Sequence, residues 1–276
     1  MIIPLFPVSV SKQVYPLNYP ILYREAYKMK TAVIAPLGMT PPAVSSFIDG
    51  IGEPISDIVL IITGHAAVRA GAAFLSAGLR RKYPYLRVHI EDVGYDDIST
   101  PEENFDFMTF TARQIRRQRQ KFGCDKIYLN IAGGRKNMCV SLSLIGQILQ
   151  ADGVFHIVNH DVSLMNERLE LFRSKIMAFG EAVTPEEADA LYEAGCDDFD
   201  HILFPRRDRY EIIRIPTLPY PEDYLQYIVQ NIYDGAAGLT HADRDLFVRH
   251  GILEQQGSRF ELTPHGERFI GVILGR

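Results

Sequence analysis

The sequence lacks an apolar run long enough to cross a lipid bilayer, which takes about 20 residues as a helix. Residues 1–28 also lack the apolar segment of a secretory signal peptide. Cysteine is scarce: Cys124, Cys139 and Cys196 lie far apart without zinc-finger spacing, which is typical of a reducing compartment. We therefore expect a soluble, cytoplasmic protein with no membrane partner.

Several motifs of catalysis and cofactor binding are also missing. No Gly-x-Gly-x-x-Gly follows the first predicted strand, and residues 133–137 lack the glycine spacing and the hydroxyl of a P-loop. Neither a nucleophile elbow nor a His-Glu-x-x-His helix is present. The sequence thus gives no support for dehydrogenase-type or ATPase-type nucleotide binding, for a metal or for a cofactor.

Length, composition and charge narrow the class of protein. The chain has 276 residues, of which 47% are hydrophobic and 23% charged, as in ordinary globular proteins. This length suits one main domain with a smaller appendage. The formal net charge of −5 argues against broad attraction to DNA or anionic membranes but leaves room for a local basic pocket.

Short apolar runs alternate with helical patterns along the first part of the chain. The run Ile58 to Ile62 is apolar throughout, which indicates a parallel strand covered on both faces. We predict a doubly wound, mostly parallel α/β domain. Its expected strands are residues 31–38, 57–64, 86–94, 126–133 and 153–159, and its expected helices are residues 41–51, 66–83, 101–122 and 136–150.

The pattern loosens after residue 159, with an amphipathic stretch at 164–179, a capped helix at 185–194 and a strand at 210–215. Prolines at 216, 219 and 221 then mark a domain boundary. We expect an N-terminal extension at 1–30, a main domain at 31–218 and a tail at 219–276. Residues 1–28 could equally precede a start codon at Met29.

The tail reads as helix, short helix, two short strands and helix, an order that resembles a small winged helix-turn-helix. From Ile215 to Arg276 it carries five Lys and Arg against eight Asp and Glu. A DNA reader needs cations to neutralise phosphates. DNA binding is therefore not expected, and a dimerisation or lid module is at least as well supported.

The stretch from Lys126 to Met138 carries the main functional signal. A β-type run ends in Gly133 and Gly134, and the basic pair Arg135 and Lys136 opens a helix. Such a turn points backbone N–H groups outward, and the helix dipole and both cations favour an anion such as phosphate. A tight turn with solvated cations would have the same sequence, so the turn alone does not decide between the two.

A second loop, residues 38–42, follows the first strand and is expected at the same edge of the sheet, where ligands of this fold class bind. Thr40 precedes Pro41 and Pro42, so we predict that it caps the next helix, beside amides that could hold a phosphate. His65 follows the second strand and could reach this edge, although a lone histidine is more often structural.

The two loops together resemble a known family. The segments Pro36-Leu-Gly-Met-Thr-Pro-Pro-Ala-Val44 and Asn130-Ile-Ala-Gly-Gly-Arg-Lys-Asn-Met138 are similar to those of the CRISPR-associated Rossmann fold (CARF), a sensor domain that binds cyclic oligoadenylates. The resemblance covers residues 31–216. With its small tail, the chain is most similar to the stand-alone ring nucleases, which degrade this messenger and so end the antiviral response.

The resemblance implies a homodimer that binds cyclic tetra-adenylate (cA4) where two ligand edges meet. The family's catalytic lysine falls on Lys136 and its hydroxyl residue, often a serine, falls on Thr40. The family mechanism needs no metal: a ribose 2′-OH attacks its own 3′ phosphorus and leaves a 2′,3′-cyclic phosphate. The remaining residues implied for the ligand are Gly38, Met39, His65, Gly133, Gly134, Arg135 and Asn137.

Two other functions use the same sensor domain. A non-catalytic transcription regulator would bind DNA through the tail, with arginines such as Arg244 and Arg249. A messenger-activated RNase would carry an Arg-x4–6-His motif, which matches both Arg244 to His250 and Arg259 to His265 and so does not discriminate. The tail is also short for the all-helical nuclease domain of such enzymes.

Overall fold

The structure is a computed structural model that describes residues 29–276; the expected extension at 1–30 therefore lies almost wholly outside it. Its main sheet has six strands, in the order β3-β2-β1-β4-β5-β6, and only β6 runs antiparallel to its neighbour. The strands are β1 (Thr31–Pro36), β2 (Asp57–Ile62), β3 (Arg87–Asp92), β4 (Lys126–Asn130), β5 (Gly153–Asn159) and β6 (Tyr210–Ile215). The predicted doubly wound, mostly parallel α/β fold is confirmed.

Helices connect the strands and cover both faces of the sheet. Four link the parallel strands: α1 (Pro42–Gly50), α2 (Ala66–Lys82), α3 (Pro101–Gln120) and α4 (Lys136–Ile148). Four more lie between β5 and β6: α5 (Val162–Leu171), α6 (Arg173–Ala178), α7 (Pro185–Glu193) and α8 (Cys196–Leu203). Short 3₁₀ turns follow α6 and precede β6, at Phe179–Glu181 and Arg207–Arg209.

The strand order places the first and fourth strands side by side. From β1 the chain moves outward through β2 to β3, and it then returns to β4 on the other side of β1. The connections after β1 and β4 therefore leave toward opposite faces of the sheet. This is the topological switch point, where doubly wound folds form a crevice beyond the carboxyl ends of the strands.

The core has two parts, one on each face of the sheet, because β1 and β2 are buried along their whole length. On the first face α1, α2 and the helices after β5 pack through aromatic side chains, with Phe74 at 5.2 Å from both Phe179 and Phe199 between ring centroids. On the second face α3 and α4 pack on the other side of the same strands.

The tail completes the cover of the second face. Its elements are α9 (Glu222–Tyr233), α10 (His241–Arg249), β7 (Leu253–Gln256), β8 (Arg259–Leu262) and α11 (Pro264–Leu274), in the predicted order. Ile228 of α9 and Ile270 of α11 belong to the same apolar cluster as Ile115 of α3. The guanidinium of Arg116 donates to the carbonyl of Ile273, and Arg268 pairs with Glu102 at 3.1 Å.

Not every predicted helix agrees with the structure. Thr100 and Thr184 form capping boxes with Glu103 and Glu187 at the starts of α3 and α7. The amphipathic stretch 164–179 is two helices that meet at Phe172, and α8 was not predicted at all. Helix α5 buries none of its residues, so its weak apolar pattern did not reveal its ends. Among residues 29–276, no helix is both long and apolar enough to span a bilayer.

Candidate functional site

The turns after β1 and β4 touch each other through their backbones. A Cβ atom added to Gly38 would lie 3.0 Å from the backbone nitrogen of Gly134. A Cβ atom on Gly133 would lie 2.4 Å from the carbonyl oxygen of Pro36, closer than real side chains approach. Only glycine lets the two turns come this near, so they form one surface at the switch point.

Gly134 is needed for its backbone conformation as well. Its φ of +81° lies in the left-handed region, which glycine enters without steric cost. A Cβ there would also lie 2.8 Å from the Cβ of Pro36. The turn from β4 into α4 therefore depends on both glycines, one for close approach and one for conformation.

The N-terminus of α4 faces the same edge. Arg135 is the N-cap residue, in an extended conformation, and its side chain does not cap the helix. Asn137 Oδ1 accepts the N–H of Met138 at 3.0 Å, while the N–H groups of Lys136 and Asn137 have no partner among residues 29–276. Unbonded N–H groups at a helix N-terminus favour an anion.

The two cations of the turn differ in their partners. The side chain of Lys136 is exposed and makes no ion pair or hydrogen bond with any residue from 29 to 276. Arg135 instead forms a two-point ion pair with Asp97: Nε lies 2.9 Å from Oδ1 and Nη2 lies 2.7 Å from Oδ2. Of the two cations, Lys136 is therefore the one without an ion-pair partner among the described residues.

Asp97 belongs to a third segment at the edge, the loop of residues 93–98 after β3. Asn137 Nδ2 donates to the carbonyl of Ile98 at 2.9 Å and fixes this loop against α4. The sequence placed Asp97 beyond the third strand but did not show whether it takes part in the site. Its position in the loop that follows a parallel strand was the available signal.

The predicted capping role of Thr40 is wrong. Helix α1 begins at Pro42, with Pro41 as its N-cap and no side-chain cap. The N–H of Ala43, which a capping hydroxyl would accept, instead donates to the backbone carbonyl of Thr40 at 3.1 Å. The hydroxyl of Thr40 is therefore left without a partner among the described residues, beside the contact of the two turns.

A cleft of about 220 Å³ lies over the first turn. Met39, which is 54% exposed, and Thr40 form one wall, and α5 and α6 form the other. The cleft therefore makes the region beside Thr40 concave. Its remaining lining residues are Pro41, Ala67, Gly71, Asn166, Leu169, Glu170, Arg173, Ile176 and Met177.

His65 has a structural function in this fold. It is the N-cap of α2, and its Nδ1 accepts the N–H of Ala67 at 3.3 Å. The residue lies just after β2, the strand next to β1, so it is on the predicted edge of the sheet. One of its ring nitrogens, however, is already hydrogen-bonded to α2.

The most strongly shifted carboxyl lies at the other edge of the sheet, where β2 begins. Burial raises the pKa of Asp57, but hydrogen bonds from His89, Arg87 and Ser56 outweigh it and hold the pKa well below its usual range. Burial also raises the pKa of the Cys124 thiol beside it to about 11.

Among residues 29–276, no group of three His, Cys, Asp or Glu side chains could hold a metal ion.

Comparison with known proteins gives one family for most of the chain. The model of the family described as CRISPR-associated protein NE0113 matches residues 41–234, and that of the CARF-associated HTH, a helix-turn-helix, matches residues 222–275. No curated protein matches the chain.

Three solved structures are similar to parts of this chain. Csm6 from Enterococcus italicus, bound to cyclic hexa-2′-fluoro-hexa-dAMP, is 15% identical, with a TM-score of 0.47 over 76% of this chain and 49% of that chain. Can2 from Sulfobacillus thermosulfidooxidans, in complex with cA4, is 11% identical, with a TM-score of 0.35 over 48% of this chain and 33% of that one.

The third is protein VC1899 from Vibrio cholerae, which is 9% identical, with a TM-score of 0.37 over 87% of this chain and 64% of that chain. The present chain thus spans about half, a third and under two thirds of these three proteins. The resemblance to a CRISPR-associated family is confirmed by the family match, which covers more than half of the sequence. The chain belongs to the family of CRISPR-associated protein NE0113.

Proposed function

We propose that the protein binds a cyclic oligoadenylate, in the first instance cA4, where the turns after β1 and β4 meet. The observation that carries the proposal is the backbone contact between Gly38 and Gly134 beside the N-terminus of α4 and the unpaired Lys136. A ring of linked nucleotides carries several phosphates. The turn after β4 offers both backbone N–H donors and a cation that can bind a phosphate. Membership of a CRISPR-associated family supports the ligand class.

The phosphates would be held mainly by the second turn. The N–H groups of Lys136 and Asn137 point from a helix N-terminus, and the Lys136 ammonium adds a mobile positive charge. Arg135 keeps three N–H donors that Asp97 does not use, since a guanidinium has five. Gly38, Met39 and Thr40 would lie beneath the ring and shape the surface on which it rests.

We further propose that the protein cleaves the bound ring. A ribose 2′ oxygen forms a bond to the adjacent phosphorus, the bond to the 5′ oxygen breaks, and that oxygen takes up a proton while the 2′ proton is lost. The product is a linear isomer that ends in a 2′,3′-cyclic phosphate. Positioning supplies much of the acceleration, because nucleophile and phosphorus belong to one molecule.

Lys136 and Thr40 are the side chains proposed to act in this step. The ammonium of Lys136 would stabilise the charge that develops on the phosphorane, together with backbone N–H groups. The hydroxyl of Thr40 has no partner among the described residues, so it is free to bond to the ribose or the phosphate.

A two-fold symmetric ring calls for a second copy of the chain, and α4 supports this part of the proposal. Val140 and Leu144 follow Lys136 at four-residue intervals and are 69% and 41% exposed. Residues spaced in this way share one helix face. An exposed apolar stripe that starts at the proposed ligand site would let two copies meet with their anion sites side by side.

The tail supports a second candidate function, a ligand-controlled transcription regulator. The helix-turn-helix match over residues 222–275 favours it. The charge of this region is against it, since residues 215–276 contain more acidic than basic side chains. A regulator would bind the same ring without cleaving it and would change its affinity for DNA.

One experiment separates these functions. The purified full chain is incubated in EDTA with cA4, with linear RNA and with promoter DNA, and the products and complexes are resolved. Conversion of cA4 to a linear product supports the ring nuclease, whereas stable cA4 binding with ligand-dependent DNA retention supports the regulator. Failure to bind cA4 at all would overturn both.

A further inference from the structure

The ion pair between Asp97 and Arg135 lies directly beside the proposed phosphate site. The Arg135 side chain is 67% exposed and that of Asp97 is 37% exposed, so a ligand from solution can reach both. Carboxylates and phosphates bind a guanidinium in the same way, through two oxygens and two parallel N–H donors. The carboxylate of Asp97 therefore takes the position on Arg135 that a ligand phosphate would use.

The structure holds Asp97 in that position by more than the ion pair. Its Oδ1 accepts the N–H of Ile98 at 2.8 Å, and the carbonyl of Ile98 accepts from Asn137 Nδ2 at 2.9 Å. Two contacts therefore join the loop of residues 93–98 to the first turn of α4. The carboxylate is fixed where it meets Arg135 and is not a freely moving surface group.

We propose that Asp97 determines the affinity of the site by competing with the ligand phosphate for Arg135. A phosphate must either displace the carboxylate or share the guanidinium with it. In both cases the negative charge of Asp97 opposes binding. The proposal deepens the proposed function, since it rests on an anionic ligand at this turn.

Two effects of removing Asp97 have opposite signs, and their sizes decide the outcome. Loss of the pair frees Arg135 from a fixed orientation, but exposed ion pairs are weak, with an effect of roughly fivefold or less. Two like charges about 4 Å apart repel by roughly fivefold even in bulk water, and by more near a protein surface. Repulsion is the larger effect, so removal of the carboxylate strengthens anion binding.

Asp96 provides a matched control. It precedes Asp97 in the same loop and is exposed, but it makes no hydrogen bond or ion pair with any residue of the described chain. Asp96→Asn and Asp97→Asn remove the same charge from adjacent positions. Only the second removes a group that touches Arg135, so the pair of variants separates contact from general charge.

The test measures the binding of cA4 and, separately, of pyrophosphate to the full-length chain. Asp97→Asn should bind both about three- to tenfold more tightly than the natural sequence, whereas Asp96→Asn should change affinity by about twofold or less. In an Arg135→Ala background Asp97→Asn should change affinity by only about twofold or less, as Asp96→Asn does. Because Arg135 is then an exposed cation that no carboxylate neutralises, the affinity of Asp97→Asn should also fall more steeply with salt. The thermal unfolding midpoint of each variant checks that it is folded.

The outcomes distinguish this inference from the proposed function. If cA4 binds but Asp97→Asn binds it equally or more weakly, or no more tightly than Asp96→Asn, the competition is refuted and the proposed function stands. If only pyrophosphate binds and Asp97→Asn tightens it, the competition stands and the proposed ligand is wrong. If neither anion binds, both are wrong.

Discussion

Gly38 and Gly134 meet backbone to backbone at the switch point of the sheet. A Cβ atom added to Gly38 would lie only 3.0 Å from the backbone nitrogen of Gly134. This contact joins two loops that are distant in sequence into one surface. The position of every proposed ligand contact follows from it, since Thr40 lies two residues after Gly38 and Lys136 lies two residues after Gly134.

Replacement of Lys136 by alanine should lower the rate of cA4 cleavage about a hundredfold or more, because loss of one charge-stabilising donor costs on the order of 3 kcal/mol in the transition state. The thermal midpoint should stay unchanged, since Lys136 has no partner in the described chain. Single-turnover cleavage measures the effect. Lys121, an exposed lysine just after α3, provides the control variant Lys121→Ala. An unimpaired Lys136→Ala variant would refute the assignment.

Replacement of Gly133 by alanine should destabilise the protein by about 1–3 kcal/mol, because the new Cβ would meet the rigid backbone of Pro36. Binding of cA4 should be lost as the two turns separate. Chemical denaturation and ligand titration measure both effects.

Gly271→Ala is the control for this glycine. It lies in α11, and a Cβ there meets nothing within 4 Å, so stability should stay equal or rise by about 0.5–1 kcal/mol. A Gly133→Ala variant as stable as this control would contradict the observed close approach.

Replacement of Thr40 by alanine should leave stability within about 0.5 kcal/mol, because its hydroxyl does not cap α1. Thr100→Ala is the matched comparison. Thr100 accepts the N–H of Glu103 at 3.2 Å, and loss of such a cap costs about 1 kcal/mol. Cleavage of cA4 should fall for Thr40→Ala alone; equal losses of stability in both variants would restore the capping role.

Asp57 should make folding sensitive to acid. Its pKa in the folded protein lies below the ordinary aspartate value, so its stabilising effect is present above the unfolded-state pKa. That effect is lost as pH falls below about 4, where the unfolded chain takes up the proton first.

Asp57→Asn tests this dependence. It should cost about 1–3 kcal/mol at pH 7, because the buried carboxylate loses its charge-assisted bonds to Arg87 and His89, while the Arg87 left behind is partly exposed. It should also flatten the decline of stability between about pH 4 and pH 2. Denaturation midpoints across this range measure the change, and an unaltered acid profile would show that other carboxyls control it.

The sequence was sufficient for the architecture because its periodicity is local. Continuous apolar runs such as Ile58 to Ile62 require cover on both faces, and a parallel sheet provides it. The glycine pair at 133–134, with a strand pattern before it and cations after it, likewise predicts a tight turn from a strand into a helix. The place of both turns at one edge then follows from the rule that parallel strands end together.

What the sequence could not provide depends on contacts between distant residues. The pairing of Asp97 with Arg135 needs the path of a loop that no periodicity describes. The misjudged role of Thr40 came from assigning the helix start by residue type, when the backbone carbonyl of Thr40 already satisfies Ala43. Helix α8 escaped notice because it has only eight residues and no side-chain cap marks its start at Gly195, although Pro205 follows its end.

The apolar side of α3 faces α11 as well as the sheet, with Ile115, Ile270 and Ile273 in one cluster. The tail therefore covers part of the core, because its apolar side chains pack on α3. A chain truncated before α9 would expose the apolar face of α3 to water. Unless another surface covered that face, the truncated chain would tend to aggregate.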